Sequence, residues 1–553
     1  MIKEKMLHQT GIVSLAAVLT MMVSGCVFGE ETGDREECLI TLSDDQIMVD
    51  GEEISVDSSS PVYAGAEIVY YQEGQGELYG EGDAQEEHSA KEASEHTVIT
   101  ITQPGTYRVS GSISKGQIAV DLGEESEDEK EAVVCLILDD ADITCTVAPA
   151  VVVYHAYECG SDDTENAVRN VDTSEAGFRL VLADDSVNTV QGSHVAKIYK
   201  EGTTQEDINT GEAKKAYKFD AAMDSTVSFT INGEEAGNGI LKVTADNEGI
   251  SSNLHMTVNG GEIHISSADD AINTNEDGVS VFTVNGGTII CDSGAGAEGD
   301  GIDSNGWIVI NGGFVSACAN GKSQDSGVDS DLGIYINGGT LLASRNMYDE
   351  VSEDSGQTFL VLNFAQTVEA DQLLMLKNGE GEPMAAFYGT NDFQTLVFSS
   401  DILTEGDYTL YKVSSVTGEQ QGNVYTDITE YTEEEQLQYS SDTMMGPGGG
   451  FRPFDGQLPE EMERGERPKG QELPEGVEPG ERPRGQEPPE GMEPGEKPEG
   501  QEPPEGMEPG QRPEAAEALD GEEVSGESIF HVSGIRNTFS GISAIQSPEE
   551  NLV

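Results

Sequence analysis

Between residues 225 and 345 apolar positions recur in pairs, each pair set around an Asn-Gly. The Asn stands at 232, 259, 285, 311 and 337, about every 26 residues. Three positions before it come Phe229, Met256, Phe282, Ile308 and Ile334. Directly before it come Ile231, Val258, Val284, Ile310 and Ile336. Four and six positions after it, in the last four repeats, come Ile263/Ile265, Ile289/Cys291, Val315/Ala317 and Leu341/Ala343. The first repeat resumes after a short insertion with Leu241/Val243. A period of two with one apolar face predicts strands that bury alternate side chains. A third apolar column, Ile250, Ile272, Ile302 and Val328, follows the turns Glu248-Gly, Asp270-Ala, Asp300-Gly and Ser326-Gly. Each repeat thus reads as three short strands.

One such unit cannot bury its apolar face alone, but stacked units can share a continuous core. The reading is an all-β, right-handed parallel β-helix in which like residues form ladders about 4.8 Å apart. Stacked Asn side chains can hydrogen-bond along such a ladder, and the Gly pair permits the tight corner. A propeller needs repeats of about 40 residues, and a leucine-rich repeat its own Leu/Asn frame. The nonapeptide repeat of a calcium β-roll is absent. Cys291 falls in the inward column and Cys318 one residue past it, pointing outward, so no disulfide is expected between them.

Upstream, 97–122 and 133–154 alternate without a clean period and read as irregular coils of the same body. Downstream, 396–413 is strand and turn again. From 446 a Pro/Gly/Glu unit recurs from Gly470, Gly485 and Gly500, too polar to bury a core, and predicts an extended disordered spacer. The expected organisation is a signal segment (1–25), an N-terminal tether and β cap (26–96) and the β-helix (97–345). A C-terminal β segment (346–445), the spacer (446–520) and a terminal strand segment (521–553) follow.

Charge narrows the partners. With 28 Lys+Arg against 105 Asp+Glu the formal net charge is -77, which repels nucleic acid and anionic membrane surfaces. At the start, Lys3 and Lys5 precede an apolar run at 11–22 that is too short to span a bilayer, and Val23-Ser24-Gly25-Cys26 follows. That exit resembles a bacterial lipobox, although Leu is more usual where Val23 sits. It implies lipidation at Cys26, export, and a membrane contact made only through the anchor. Six further cysteines allow 15 connectivities, and none is chosen by the sequence.

The frame DNEGISSNLHMTVNGGEIHISSADDAINTN, then GDGIDSNGWIVINGG, with GTYRVSGSISKGQIAVDL and LVLADDSVNTV upstream, resembles a bacterial family of secreted carbohydrate-binding β-helices over roughly 97–425. That family is related in fold to β-helical pectate lyases, carries calcium at acidic turns and binds plant polysaccharide. The resemblance implies the same here. Relatives often carry Lys directly after the D-G-I turn, where this chain has Ser251, Asn273, Asp303 and Asp329.

Stacked one coil apart, the turn carboxylates would repel strongly unless a cation sat between them. The candidate metal ligands are Asp246, Glu248, Asp269, Asp270, Asp300, Asp303, Asp325 and Asp329. Calcium suits them, since it accepts six to eight oxygens in loose geometry. A calcium-dependent uronan lyase would also need a base near those acids. From 225 to 345 the basic residues are Lys242, His255, His264, Lys322 and Arg345, and none is well placed. A metal-free hydrolase would draw on the same carboxylates. Trp307, the only Trp, and Tyr335 should face outward one coil apart as a small sugar-stacking patch. The expectation is therefore non-catalytic polysaccharide binding at the cell surface, plant cell-wall type foremost, with calcium. A uronan lyase and a structural adhesin are the alternatives.

Overall fold

A computed structural model describes residues 37–346, 350–440, 445–446, 450–451 and 527–545. The expected signal segment with Cys26, and the Pro/Gly/Glu repeats, lie outside the described residues. The regular structure of the described chain is almost entirely strand. Its two α-helices, Ala90–Ser94 and Gln205–Thr210, are one to two turns long.

The period-two segments pair in parallel with their equivalents one repeat on, giving three columns of strands. The first column runs Phe229–Gly233, His255–Val258, Val281–Val284, Trp307–Ile310 and Gly333–Ile336. The second runs Ile240–Ala245, Glu262–Ser266, Thr288–Asp292, Phe314–Cys318 and Thr340–Arg345. The third runs Ala221–Ser225, Glu248–Ser252, Ile272–Thr274, Ile302–Ser304 and Asp329–Ser330, within a nine-stranded sheet. Parallel pairing begins before residue 97, because Cys38–Leu42 already lies alongside Gly105–Ile113.

Like residues meet in register. Ile250, Ile272 and Ile302 are neighbours on successive strands, and Ile231, Val258, Val284, Ile310 and Ile336 likewise, all fully buried. Each such side chain contributes about 1.5–3 kcal/mol through burial. The Asn side chains link the corners: Asn259, Asn285, Asn311 and Asn337 each donate Nδ2 to Oδ1 of the Asn one repeat earlier, at 2.9–3.0 Å. The second Gly of each Asn-Gly-Gly is left-handed, with φ from 75° at Gly313 to 88° at Gly261. A side chain there would be strained and would press on the preceding corner.

Two additions cover this stack. After Val151–His155 in the third column, the chain reaches Phe178–Leu182 in the first only at residue 178. In later repeats the same turn takes a few residues. The extra segment, 156–177, lies over the outer face of the first column. The second addition is C-terminal. Phe393–Ser399 pairs antiparallel with Thr340–Arg345, and Phe359–Val368 takes Arg536–Ala544 as a parallel partner. Their apolar side chains form a second core with Phe314 and Leu342. The closing strand therefore docks on the body. It is tied in by a bridge in which Tyr439 and Glu527 exchange both backbone hydrogen bonds, at 2.8 and 2.9 Å.

The long hairpin Gly406–Gln421 and Val424–Gln438 turns back onto the second column. Gln421 donates to Thr288 Oγ1 at 2.9 Å, and Asn423 Nδ2 lies 3.5 Å from Cys318 Sγ. Cys318 does point away from the inward column, yet it is fully buried, because this hairpin covers it. Cys291 and Cys318 are both free thiols.

Candidate functional site

The turns that open the third-column strands set out two rows of polar side chains. One row holds Glu248, Asp270 and Asp300, whose backbones join through Gly249 N–H to Asp270 O and Ala271 N–H to Asp300 O at 2.9 and 3.1 Å. The other is the position after the inward Ile, where Asp224, Ser251, Asn273, Asp303 and Asp329 stand side by side. Two residues stand between the rows in each turn, at 248/251, 270/273 and 300/303, and the turn brings their side chains together.

Asp270, Asp300 and Asp303 each bring a carboxylate oxygen to within 4.8 Å of the other two, the one such acidic grouping among the described residues. Asp300 is buried; its Oδ1 accepts from Ser326 N–H at 2.6 Å, and its own N–H donates to Asp270 Oδ1 at 2.7 Å. Asn273 Nδ2 donates to Glu248 Oε1 at 3.1 Å and reaches Asp270 Oδ2 at 3.4 Å. The far ends of this pair are unsatisfied. Glu248 Oε2 and Asn273 Oδ1, on residues only 7% exposed, have no hydrogen-bond donor. A buried acceptor without a donor costs about 1–3 kcal/mol, and here two lie beside a carboxylate cluster.

The electrostatics follow. Burial, then the neighbouring carboxylates, lift Glu248, Asp270 and Asp300 well above the ordinary range. Asp269 is pushed up to about 6 by burial and by Glu298 and Asp325, and Asp224 to about 8 by burial and Asp220. Without a cation these groups thus hold their protons to higher pH than free carboxylates do.

The remaining nominated acids divide. Asp329 continues the Asp303 row, while Asp269 and Asp325 flank the triad electrostatically. Asp325 Oδ2 already accepts from Gly299 N–H and Ser323 Oγ–H, both at 2.6 Å. Asp246 does not join the cluster. It accepts from Ser193 at 2.6 Å and meets His194 Nδ1 at 3.2 Å, while His194 Nε2 faces Glu86 at 3.1 Å. Burial opposes the charge on His194, but these two carboxylates outweigh it and raise the ring to about 10. Asp246 therefore serves an ion-paired junction with the N-terminal segment.

Trp307 and Tyr335 do not stand in one row. Trp307 pairs with Gly333, and Tyr335 with Val309. One face of the Tyr335 ring is occupied by the Arg169 guanidinium, 3.8 Å from the centroid.

Lys218 was missed by the sequence reading, which counted cations only from 225 onward. Its Nζ lies 2.8 Å from Asp220 Oδ2. Burial works against its charge, but Asp220, with Glu248 and Asp224 beyond, raises the ammonium above its usual range. Asp220 and Asp224 were missed with it. Asp224 was within reach of the sequence as the upstream member of the row that holds Ser251, Asn273, Asp303 and Asp329.

A family model described as a carbohydrate-binding domain-containing protein matches residues 94–188 and 176–382, together more than half of the chain. The chain belongs to that family. The matched span contains all three strand columns of the repeats, the acidic rows and the 156–177 segment. Among solved structures, the polysaccharide lyase-like protein from C. thermocellum, as a gadolinium derivative, is similar at a TM-score of 0.32 and 20% identity, over 55% of this chain and 90% of that one. No curated protein matches.

Proposed function

We propose that this carbohydrate-binding family member is a cell-surface polysaccharide binder whose body is a parallel β-helix with calcium held in its third-column turns. The observation that carries the calcium reading is the pair of buried acceptors, Glu248 Oε2 and Asn273 Oδ1, beside Asp270, Asp300 and Asp303. Every donor in the set is oxygen, the chemistry of a hard cation with loose geometry. Glu248, Asn273, Asp270, Asp300 and Asp303 would hold the ion, and Asp329 extends the site. Bound calcium would supply positive charge at the surface of a protein that otherwise repels polyanions. A uronan carboxylate is then the fitting ligand, recruited through the metal, with binding rather than bond cleavage as the outcome. Export and a lipid anchor at Cys26 fit a partner that lies outside the cell, plant cell-wall polysaccharide foremost.

Lys218 favours one second reading, a uronan lyase, since it places an amine next to the acidic rows. Its raised pKa leaves it protonated and a poor base in the metal-free protein. The deciding experiment is retention of the ectodomain from residue 27 on pectin and on neutral glycans, with calcium and with chelator. Retention on pectin that chelator abolishes is the expected result. Unsaturated products absorbing in the ultraviolet would move the assignment to the lyase. Pectin retention that chelator leaves untouched would overturn the calcium reading.

A further inference from the structure

The outer face of the first strand column should be solvent-exposed, yet Thr230, Thr257, Thr283 and Val309, neighbours in one outward row, are only 4, 4, 9 and 2% exposed. The 156–177 segment covers them. It leaves along the turn edge, where Glu158 accepts from Ser228 N–H at 2.6 Å. Gly160 passes so close to His255 that a Cβ there would lie 2.5 Å from the ring. It returns over the sheet face: Arg169 stacks on Tyr335, Thr173 Oγ1 donates to Thr257 Oγ1 at 2.7 Å, and Ala176 O accepts from Arg179. The strap thus spans the strands from Arg179 to Tyr335.

What it covers is chemically distinct from the acidic turns. The row is a ladder of three hydroxyls about 4.8 Å apart, ending in Val309 and Tyr335, with half-buried Trp307 in the adjacent row. No carboxylate stands in either row, and burial pushes His255 down to about 4, so it is neutral. Hydroxyls that donate and accept, beside aromatic rings, match the hydroxyl edges and apolar faces of sugar rings. The ladder repeat is also close to the length of one pyranose unit. The strap, by contrast, is polar and acidic (Asp162, Asp163, Glu165, Asp172, Glu175), and its Val168 is 56% exposed rather than packed on the face. Across the strands it is held by Arg169 and Thr173.

We propose that this face is a second glycan-binding surface, for neutral polysaccharide, closed in the resting chain by the 156–177 strap. The proposal rests on the carbohydrate-binding reading but not on calcium. Its test uses the whole ectodomain from residue 27 on cellulose, xyloglucan and mannan, all in chelator. Arg169→Ala loosens the strap and should raise retention several-fold over the unaltered protein. Thr173→Cys with Thr257→Cys pins it by a disulfide; retention should vanish when oxidised and return with reductant, the unaltered protein in reductant being the control. Melting curves establish that each variant is folded. Equal retention of the loosened, pinned and unaltered proteins overturns the proposal. If chelator-sensitive pectin retention persists in that case, the calcium reading stands while the strap falls. Strap-dependent neutral retention without any pectin binding has the opposite meaning, and no retention anywhere overturns both.

Discussion

Replacing Asp300 by Asn should have opposite effects with and without calcium. The substitution keeps an oxygen for Ser326 N–H and removes one charge from a site where three carboxylate oxygens lie within 4.8 Å. At that spacing and an effective dielectric near 20, each fully ionised pair repels by about 3 kcal/mol. Proton uptake relieves part of this, so the metal-free variant should gain about 1–2 kcal/mol over the unaltered protein. With calcium the sign reverses. At 10 mM ion and a Kd of about 10⁻⁴–10⁻³ M, linkage stabilises the unaltered protein by about 1.4–2.7 kcal/mol, or about 2–3 °C in Tm for a folded body of this size. Asp300→Asn should lose most of that shift. The pH dependence has a determined sign too. Groups whose folded pKa is raised, such as Asp224 at about 8, favour the folded state most below the ordinary carboxylate range. Their contribution is lost as pH rises from about 4 to about 8. Metal-free Tm should therefore fall across that window, and calcium should flatten the fall. Scanning calorimetry in chelator and in 10 mM calcium, from pH 5 to 8, measures all three. An unaltered Tm indifferent to calcium, or a variant equally destabilised in both conditions, would refute the reasoning.

Other perturbations probe the frame. Asn285→Ala removes two rungs of the Asn ladder, to Asn259 and from Asn311, and should cost about 1–2 kcal/mol in urea unfolding. Gly313→Val, at φ 75° and with its Cβ 2.7 Å from Gly287 O, should cost at least about 1–3 kcal/mol and lower the yield of folded protein. His194 has its pKa raised to about 10, so its contribution is complete below about 6.5 and lost as pH climbs to 10. His194→Ala should lower Tm at pH 6 and leave it nearly unchanged relative to the unaltered protein above pH 10.

The repeats were legible because stacking makes the same demand at every coil. Ile250, Ile272 and Ile302 occupy one environment, so the period in the sequence is the period in space. The acidic triad was legible for the same reason. What escaped lies where the period stops. Lys218, Asp220 and Asp224 precede the first Asn-Gly: Lys218 lies on Lys215–Phe219, Asp224 on Ala221–Ser225 and Asp220 between them, without the acidic-Gly-Ile turn. The strap is one polar excursion with no equivalent in other repeats, so nothing in the pattern says what Arg169 or Thr173 touches. The outward direction of Cys318 was legible but its burial was not, because the hairpin that covers it is more than 100 residues away in the chain.

The Tyr439–Glu527 bridge gives the last strand an unusual independence. Arg536–Ala544 holds its place through pairing with Phe359–Val368 and through buried Phe539 and Ile542. Its covalent route back to the body is the entire 440–526 stretch. A single protease cut in that stretch would turn residues 527–545 into a separate peptide that still completes the sheet. The protein is in this sense already divided into two complementary fragments, and a labelled peptide of those residues should exchange into the nicked form under mild denaturant and dock in the vacated place.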